Sequence, residues 1–439
     1  MMKTEQRKNL LQTLGPGILF ASTAIGVSHL VQSTRAGAEF GFGLVWAIVL
    51  ANLFKYPFFE FGSRYANATG ESLIDGYRKV GQWMLVLYFL MVIASMFFVT
   101  AAVGVVTAGF MDNLFGIGNL KWVTVVLFIS SLAILIIGKY KWLDSMIKVI
   151  GAVLLTSTLI AFVLTLCRGA ESQGALISTV DLTDAGTFMF VIALMGWMPT
   201  AVDLSTWNSL WTLERIRQTG YHPTLRQTLA DFNFGYLVSA FLSICFVTLG
   251  AFLIYGTQRP LSASSANFAN DVVALFTESI GNWSYFLIAT AAFSIMFGTC
   301  IAVFDGYARA LERSITLLAP SLLKSTGVEK DKVVYITCLI LIGLGSYLLI
   351  HHYLFLRAFL PFVKPNSSGF IGLVDIATTI SFVIAPIIAI VNFRLVTWKH
   401  YPKHAAPPLW LRILAVLGII FLTGFSIVYV LFKLGNGAS

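Results

Sequence analysis

Two segments combine metal-binding or ionisable side chains with glycine and proline. Residues 26–29 read Gly-Val-Ser-His, and residues 195–203 read Met-Gly-Trp-Met-Pro-Thr-Ala-Val-Asp. Imidazole and thioether groups suit soft metal ions, whereas carboxylates suit harder ones or an amine. The candidate substrate-binding residues are Gly26, Ser28, His29, Met195, Met198, Thr200 and Asp203, and His29, Met198 and Asp203 are the candidate metal ligands.

A purely structural explanation of the same residues stays open. A buried histidine is often only a hydrogen-bonded core residue, and Asp203 could pair with a neighbouring Ser, Thr or Trp such as Trp207. If His29 and Asp203 are instead functional, they form a proton-sensitive pair or hold a cationic group.

The elements that must position these residues are membrane helices. The 439 residues are 57% hydrophobic and only 11% charged, with a mean hydropathy of +0.83, whereas soluble domains carry about 25% charged residues. Eleven apolar stretches are each long enough to cross a bilayer about 30 Å thick. The predicted spans are about 14–36, 43–63, 83–109, 121–138, 143–167, 186–211, 233–256, 283–308, 333–351, 370–393 and 410–433.

This pattern predicts an all-α polytopic membrane protein with a single transmembrane domain over 1–439. It excludes a soluble enzyme, and we expect no enzymatic activity because the chain contains no GxSxG, HExxH or P-loop motif. The four cysteines form no CxxC pair, and no motif indicates a cofactor.

The Gly- and Pro-rich segments fall in the first and sixth predicted spans, five spans apart. Interrupted helices at matching positions in two halves are typical of transporters with inverted repeats, whose site lies between the breaks. We therefore predict a first repeat at about 14–167, a second at about 186–393 and an extra helix at about 410–433. The first and sixth helices should unwind near Gly26 and Pro199 and face each other there. The alternative is a pair of simple kinks.

The distribution of positive charge predicts the orientation. With the N-terminus inside, the inner segments collect 21 of the 29 Lys and Arg residues and the outer segments only seven, while Lys55 lies within a span. This bias follows the positive-inside rule. It predicts a cytoplasmic N-terminus and an external C-terminus, and it explains the net charge of +9 without a nucleic acid partner.

Several other charged residues lie inside predicted spans. Lys55 and Glu60 are five residues apart in the second span, and Asp305 lies in the eighth near arginines at the inner end. Local ion pairs or a cytoplasmic gate would explain them as well as ion passage would. Asp375, at the start of the tenth span, lies in a polar stripe expected to face the bundle, and lining of an outer vestibule is an alternative. The third span, from Leu85 to Gly109, has no acidic or basic side chain.

The opening of the chain resembles the Nramp family of divalent-metal transporters. The similar residues are Gly15-Pro16-Gly17, 35–42, 46–53, Arg64, 68–73 and Met198-Pro199. The resemblance is dense over about 1–80 and recognisable near 190–210. It implies the leucine-transporter-like fold of five plus five inverted helices, here with one extra helix.

The departures from the family fall on its metal site. Where the resemblance implies the metal-binding Asp-Pro-Gly-Asn, this chain has Gly-Val-Ser-His at 26–29, and Thr200 replaces the family's histidine after Met-Pro. The acids that the family uses for proton passage in the third span are apolar here. Only the thioether position, Met198, matches. The chain is thus interpreted as a diverged Nramp-related member.

Three functions remain open from the sequence. The first is a carrier of a divalent metal ion, working by alternating access. The second is a carrier of a small organic solute or another ion, and the third is a sensor that kept the fold without transport. The expected partners are the lipid bilayer and a small cation or solute. The expected location is the plasma membrane, taken as the bacterial inner membrane. Oligomeric state is not predicted.

Overall fold

The computed structural model describes residues 15–137, 140–171, 174–257, 261–262, 264–320, 327–351 and 369–436. The first residue of the predicted first span, at position 14, lies outside these ranges. Within them the chain forms fifteen α-helices. Their bounds are α1 Pro16–Ala24, α2 Thr34–Phe40, α3 Val45–Thr69, α4 Leu73–Val80, α5 Gln82–Phe115, α6 Leu120–Ile137, α7 Tyr140–Arg168, α8 Ala185–Gly196, α9 Leu204–Thr219, α10 Leu225–Leu253, α11 Ser265–Ile280, α12 Tyr285–Leu318, α13 Gly327–His351, α14 Gly369–Thr397 and α15 Leu409–Asn436.

The prediction of an all-α membrane protein is confirmed. Seven helical stretches in the described parts of the chain are long and apolar enough to cross a membrane. They are Gln82–Phe115, Leu120–Ile137, Leu225–Leu253, Asn282–Leu318, Asp331–His351, Ile371–Thr397 and Leu409–Phe432. The first and sixth predicted spans are each divided into two shorter helices, so the total of eleven stays a prediction.

Helix α10 holds both halves of the first span. The Asp231 carboxylate in α10 accepts hydrogen bonds from the backbone amides of Gly17, at 2.7 Å, and Gly15, at 3.3 Å. These amides begin α1 and have no partner within the helix, so the carboxylate caps them. A Cβ at Gly235 would lie 2.0 Å from the carbonyl oxygen of Gly17, so the two backbones are in direct contact.

Two short helices between the spans were not predicted. Helix α4 begins with a capping box in which Ser72 and Asp75 bond each other's backbone amides. Helix α11 begins after Ser264, whose hydroxyl accepts from the amide of Asn267. Neither helix is long enough to cross a bilayer, so neither one gives an apolar stretch of the length that predicts a membrane span.

Candidate functional site

The first span is broken where the sequence predicts it. Helix α1 ends at Ala24, Ile25 and Gly26 are not helical, and the chain continues as a π-helix over Ser28–Ser33. A Cβ at position 26 would lie 2.7 Å from the Thr299 side chain of α12. The hydroxyl of Thr299 donates to the carbonyl of Ser22 at 2.9 Å. Glycine therefore allows α12 to approach the break and bond a carbonyl there.

The second break lies between α8 and α9, where residues 197–203 leave the helix. The Ser28 hydroxyl joins the two breaks, since it lies 3.1 Å from the carbonyl oxygen of Pro199 and 2.5 Å from that of Ala24. The predicted arrangement, with both helices unwound and their breaks facing each other, is observed. Ser28 is thus placed between the two broken helices.

A buried lysine occupies the second break. The Lys55 side chain is fully buried, and its Nζ donates to the carbonyl oxygens of Met195 at 2.6 Å, Gly196 at 2.8 Å and Thr200 at 3.3 Å. An ammonium has three N–H groups, so these bonds use all of its donors. Of the explanations left open for Lys55, local ion pairing is not observed, because Lys55 reaches the carbonyl end of α8 instead.

Asp203 immediately precedes α9 and is only half-buried. Its carboxylate acts electrostatically on Lys55 and on three buried tyrosines, which are Tyr77, Tyr88 and Tyr307. The Tyr88 hydroxyl lies 2.8 Å from the Thr206 hydroxyl, which donates to the backbone carbonyl of Asp203. Asp203 is thus the acidic group of the break region, beside one cation and several hydroxyls.

Trp207, the partner suggested for Asp203 by the sequence, lies elsewhere. Its indole N–H has no hydrogen-bond partner among the described residues, and its ring covers Gly306 of α12. The tyrosines near Asp203 were not identified from the sequence. They come from α4, α5 and α12, and no local pattern links them to residue 203.

His29 faces α10 and offers no free ring nitrogen. Its Nε2 lies 2.8 Å from the Ser239 carbonyl oxygen, and its Nδ1 lies 2.7 Å from the Ser28 hydroxyl. Both ring nitrogens therefore have a hydrogen-bonding neighbour, and the contact with Nδ1 places the His29 ring against Ser28. A metal ion would have to displace one of these bonds to bind it.

The remaining candidates of the second break are buried. Met195 and Met198 are fully buried and Thr200 nearly so. The break is also held by α14, because the indole N–H of Trp197 donates to the Ser381 hydroxyl at 2.9 Å. Over the described ranges, no three His, Cys, Asp or Glu side chains group to hold a metal ion. A cation here would depend on Asp203, Met198 and backbone oxygens.

Asp375 belongs to a polar cluster at the end of the bundle expected to face outward. Its Oδ1 accepts from Gln32 at 2.9 Å and from Arg35 at 3.1 Å. The Arg35 guanidinium also lies over the Phe190 ring, 4.7 Å from its centroid. This outer cluster joins the first span, α8 and α14.

The ion pairs expected near the inner end are present. Arg64 donates to Glu60 at 2.6 Å and to the carbonyl of Ala405. Asp305 accepts from Arg309 at 2.8 Å, and it also accepts from Trp211 of α9 and Tyr335 of α13. Buried charges need such partners, because leaving one of them unpaired is strongly destabilising. The inner contacts tie α3 to the segment before α15, and α12 to α9 and α13.

The comparisons with known proteins cover nearly the whole chain. The sequence profile of the family described as Nramp, natural resistance-associated macrophage protein-like, matches residues 17–432. An uncharacterised protein of Pasteurella multocida is 32% identical over 425 residues, which cover 95% of this chain and 91% of that protein. The fold is similar to a crystal structure of the Eremococcus coleocola manganese transporter, with a TM-score of 0.65, 13% identity and coverage of 96% of this chain and 86% of that one. A mutant of that transporter gives a TM-score of 0.66 at 12% identity, with coverage of 97% and 87%.

Proposed function

Because the chain belongs to the Nramp family, we propose that it is a secondary transporter that carries a divalent metal cation by alternating access. Its site would lie between the two helix breaks. The observation that carries this proposal is the Ser28–Pro199 contact, which brings the breaks together beside Asp203. Unwound backbone is tolerated in a membrane only where it is buried in protein or lines a cavity.

The proposed ligands are the Asp203 carboxylate, the Met198 thioether and oxygens from the break region, including the hydroxyls of Ser28 and Thr200. One carboxylate with a thioether makes a softer and less anionic site than several carboxylates would. His29 would position Ser28 within this set. Manganese is a suitable first probe because the transporter of similar fold is described as a manganese transporter.

The two polar clusters would serve as gates. The outer cluster around Asp375 joins the first span to α14, and the inner pairs around Asp305 join α9, α12 and α13. Alternating access requires that one set opens while the other stays closed. Each set consists of a few hydrogen bonds and ion pairs that bridge helices, so opening on one side would require water to replace those bonds.

A small organic cation is the second candidate substrate. The tyrosine hydroxyls near Asp203 favour it, because hydroxyl oxygens and a carboxylate can together accept the N–H bonds of an ammonium group. An organic cation would interact with the Asp203 carboxylate as a metal ion would, but it would not need the Met198 sulfur.

The test is Asp203→Asn in proteoliposomes, measured by uptake of Mn²⁺ and by its binding affinity. Removing one partner of a buried charge pair typically costs about 3–5 kcal/mol, so we expect affinity to fall by about a hundredfold or more. The variant should still fold, because Lys55 keeps its three carbonyl partners.

Asp184→Asn is the matched control. Asp184 caps α8, accepting from the amide of Thr187 at 2.7 Å, and asparagine caps a helix equally well. This control should transport like the wild type. Wild-type uptake and affinity in Asp203→Asn would show that Asp203 is structural and that the proposed site is wrong.

A further inference from the structure

The carbonyl oxygens around Lys55 form a cation site that is already occupied. The carbonyls of Met195 and Gly196 stand at the end of α8, where the helix stops, and the Thr200 carbonyl comes from the unwound segment that follows. All three converge on one nitrogen. Backbone oxygens from an unwound helix are the kind of ligand that transporters use for small cations, and half-helix carbonyl ends attract positive charge.

We propose that the Lys55 ammonium is a tethered cation in this carbonyl cage, and that a transported cation must displace it. Lys55 would therefore determine the affinity and selectivity of the site. The identity of the transported cation as a divalent metal rests on the proposed function. The carbonyl cage around Lys55 does not depend on that function.

Two observations favour a competing cation over a simple helix cap. The ammonium contacts carbonyls both of the end of α8 and of the unwound segment, so it holds the unwound backbone as well as the helix end. It also interacts electrostatically with Asp203, so its positive charge offsets a carboxylate of the same break. With Lys55 in place, a divalent ion would meet a like charge and find these three oxygens already used.

Lysine is suited to such an exchange because its ammonium is carried on a flexible four-carbon stem. Rotation about the side-chain bonds would carry the head group out of the cage when a cation enters. When the substrate leaves, the Lys55 ammonium would return to the cage and neutralise the site again. The empty carrier could then change its facing direction without an exposed carboxylate at bilayer depth, where an unpaired charge is unfavourable.

The first experiment compares Mn²⁺ binding to the purified full chain and to Lys55→Met by isothermal calorimetry. We expect Mn²⁺ to bind more tightly to the variant, by about tenfold or more, which is within the usual range of coupling between two competing ligands. Lys399→Met is the control, because Lys399 is exposed in the loop before α15 and its loss removes the same charge. Equal affinities for wild type and Lys55→Met would overturn the proposal.

The second experiment uses methylammonium, which mimics the lysine head group, with Lys55→Ala. It remains informative even if Lys55→Met folds poorly, because methylammonium can fill the empty cage. We expect methylammonium to raise the melting temperature of Lys55→Ala and to compete with Mn²⁺, and to do neither in the wild type. If Lys55 is only a structural cap, methylammonium would stabilise Lys55→Ala without competing with Mn²⁺. Equal Mn²⁺ affinity of Lys55→Ala with and without methylammonium would therefore contradict the proposal.

The outcomes separate this inference from the proposed function. Saturable binding of methylammonium to Lys55→Ala, without Mn²⁺ binding to any variant, would support the cage and contradict metal transport. Absence of methylammonium binding would overturn the cage, whether or not Asp203→Asn abolishes Mn²⁺ uptake.

Discussion

Met198 is the residue whose chemistry separates the two candidate substrates. Its side chain is fully buried in the second break, and it matches the thioether position that the family resemblance implies. A thioether binds soft ions but contributes little to an organic ammonium beyond packing. The identity of the substrate can therefore be tested at this one side chain.

We predict that Met198→Ala weakens binding of Cd²⁺ by about tenfold or more, with a smaller effect on Mn²⁺, since sulfur prefers the softer ion. Competition uptake assays measure both. Met296→Ala is the control, because Met296 is a fully buried methionine of α12 and its truncation leaves a comparable cavity, typically costing about 2–5 kcal/mol of stability. A metal carrier is contradicted if both variants reduce Cd²⁺ and Mn²⁺ affinity equally.

At the scale of the elements, glycine contacts hold the broken first helix against α10. A Cβ at Gly37 of α2 would lie 2.1 Å from the Val247 carbonyl oxygen, and one at Gly250 would lie 2.3 Å from that of Thr34. Since apolar burial does not drive helix association in lipid, such close backbone contacts supply much of the packing energy. The break can exist because both of its flanking segments are held by the same neighbour.

Gly37→Leu should therefore prevent folding, because leucine cannot fit where a Cβ already overlaps the backbone of α10. Size-exclusion chromatography in detergent should show little monodisperse protein. Gly424→Leu provides the comparison, since a Cβ at Gly424 of α15 meets nothing within 4 Å. Normal folding and uptake in Gly37→Leu would contradict the tight α2–α10 packing.

At the scale of the whole molecule, the bundle has no acidic path through its third span. Between Leu85 and Gly109 the polar side chains of α5 are the hydroxyls of Tyr88, Ser95, Thr100 and Thr107, and the stretch has no Asp, Glu, His, Lys or Arg. The hydroxyl of Thr107 donates to carbonyls of Val103 and Met296, so it serves packing. The acidic and histidine side chains that relay protons through membrane helices are therefore absent from this stretch.

We accordingly expect metal uptake with little or no proton co-transport. A pH-sensitive dye inside proteoliposomes should show no substrate-driven acidification while Mn²⁺ enters, and a proton ionophore added afterwards serves as the control for dye response. His29 is the group near the breaks whose unperturbed pKa lies nearest neutral pH. Robust acidification that persists in His29→Ala would refute the prediction.

The sequence by itself determined the membrane class, the positions of the two breaks and the family. These properties depend on the local order of residues: apolar stretches of bilayer length, and Gly and Pro clusters near positions 26 and 199. The inner ion pairs of Glu60 and Asp305 were also predictable, because their partners lie one helical turn away at Arg64 and Arg309.

Only the tertiary structure decided what fills the breaks. Lys55 is 140 residues from Met195 in sequence, and His29 is 210 residues from Ser239. Which carbonyl a long flexible side chain reaches, and which way an imidazole points, depend on how helices from different parts of the chain pack together. No local periodicity contains that information, and only the packing of α3 against α8 places Lys55 in the second break.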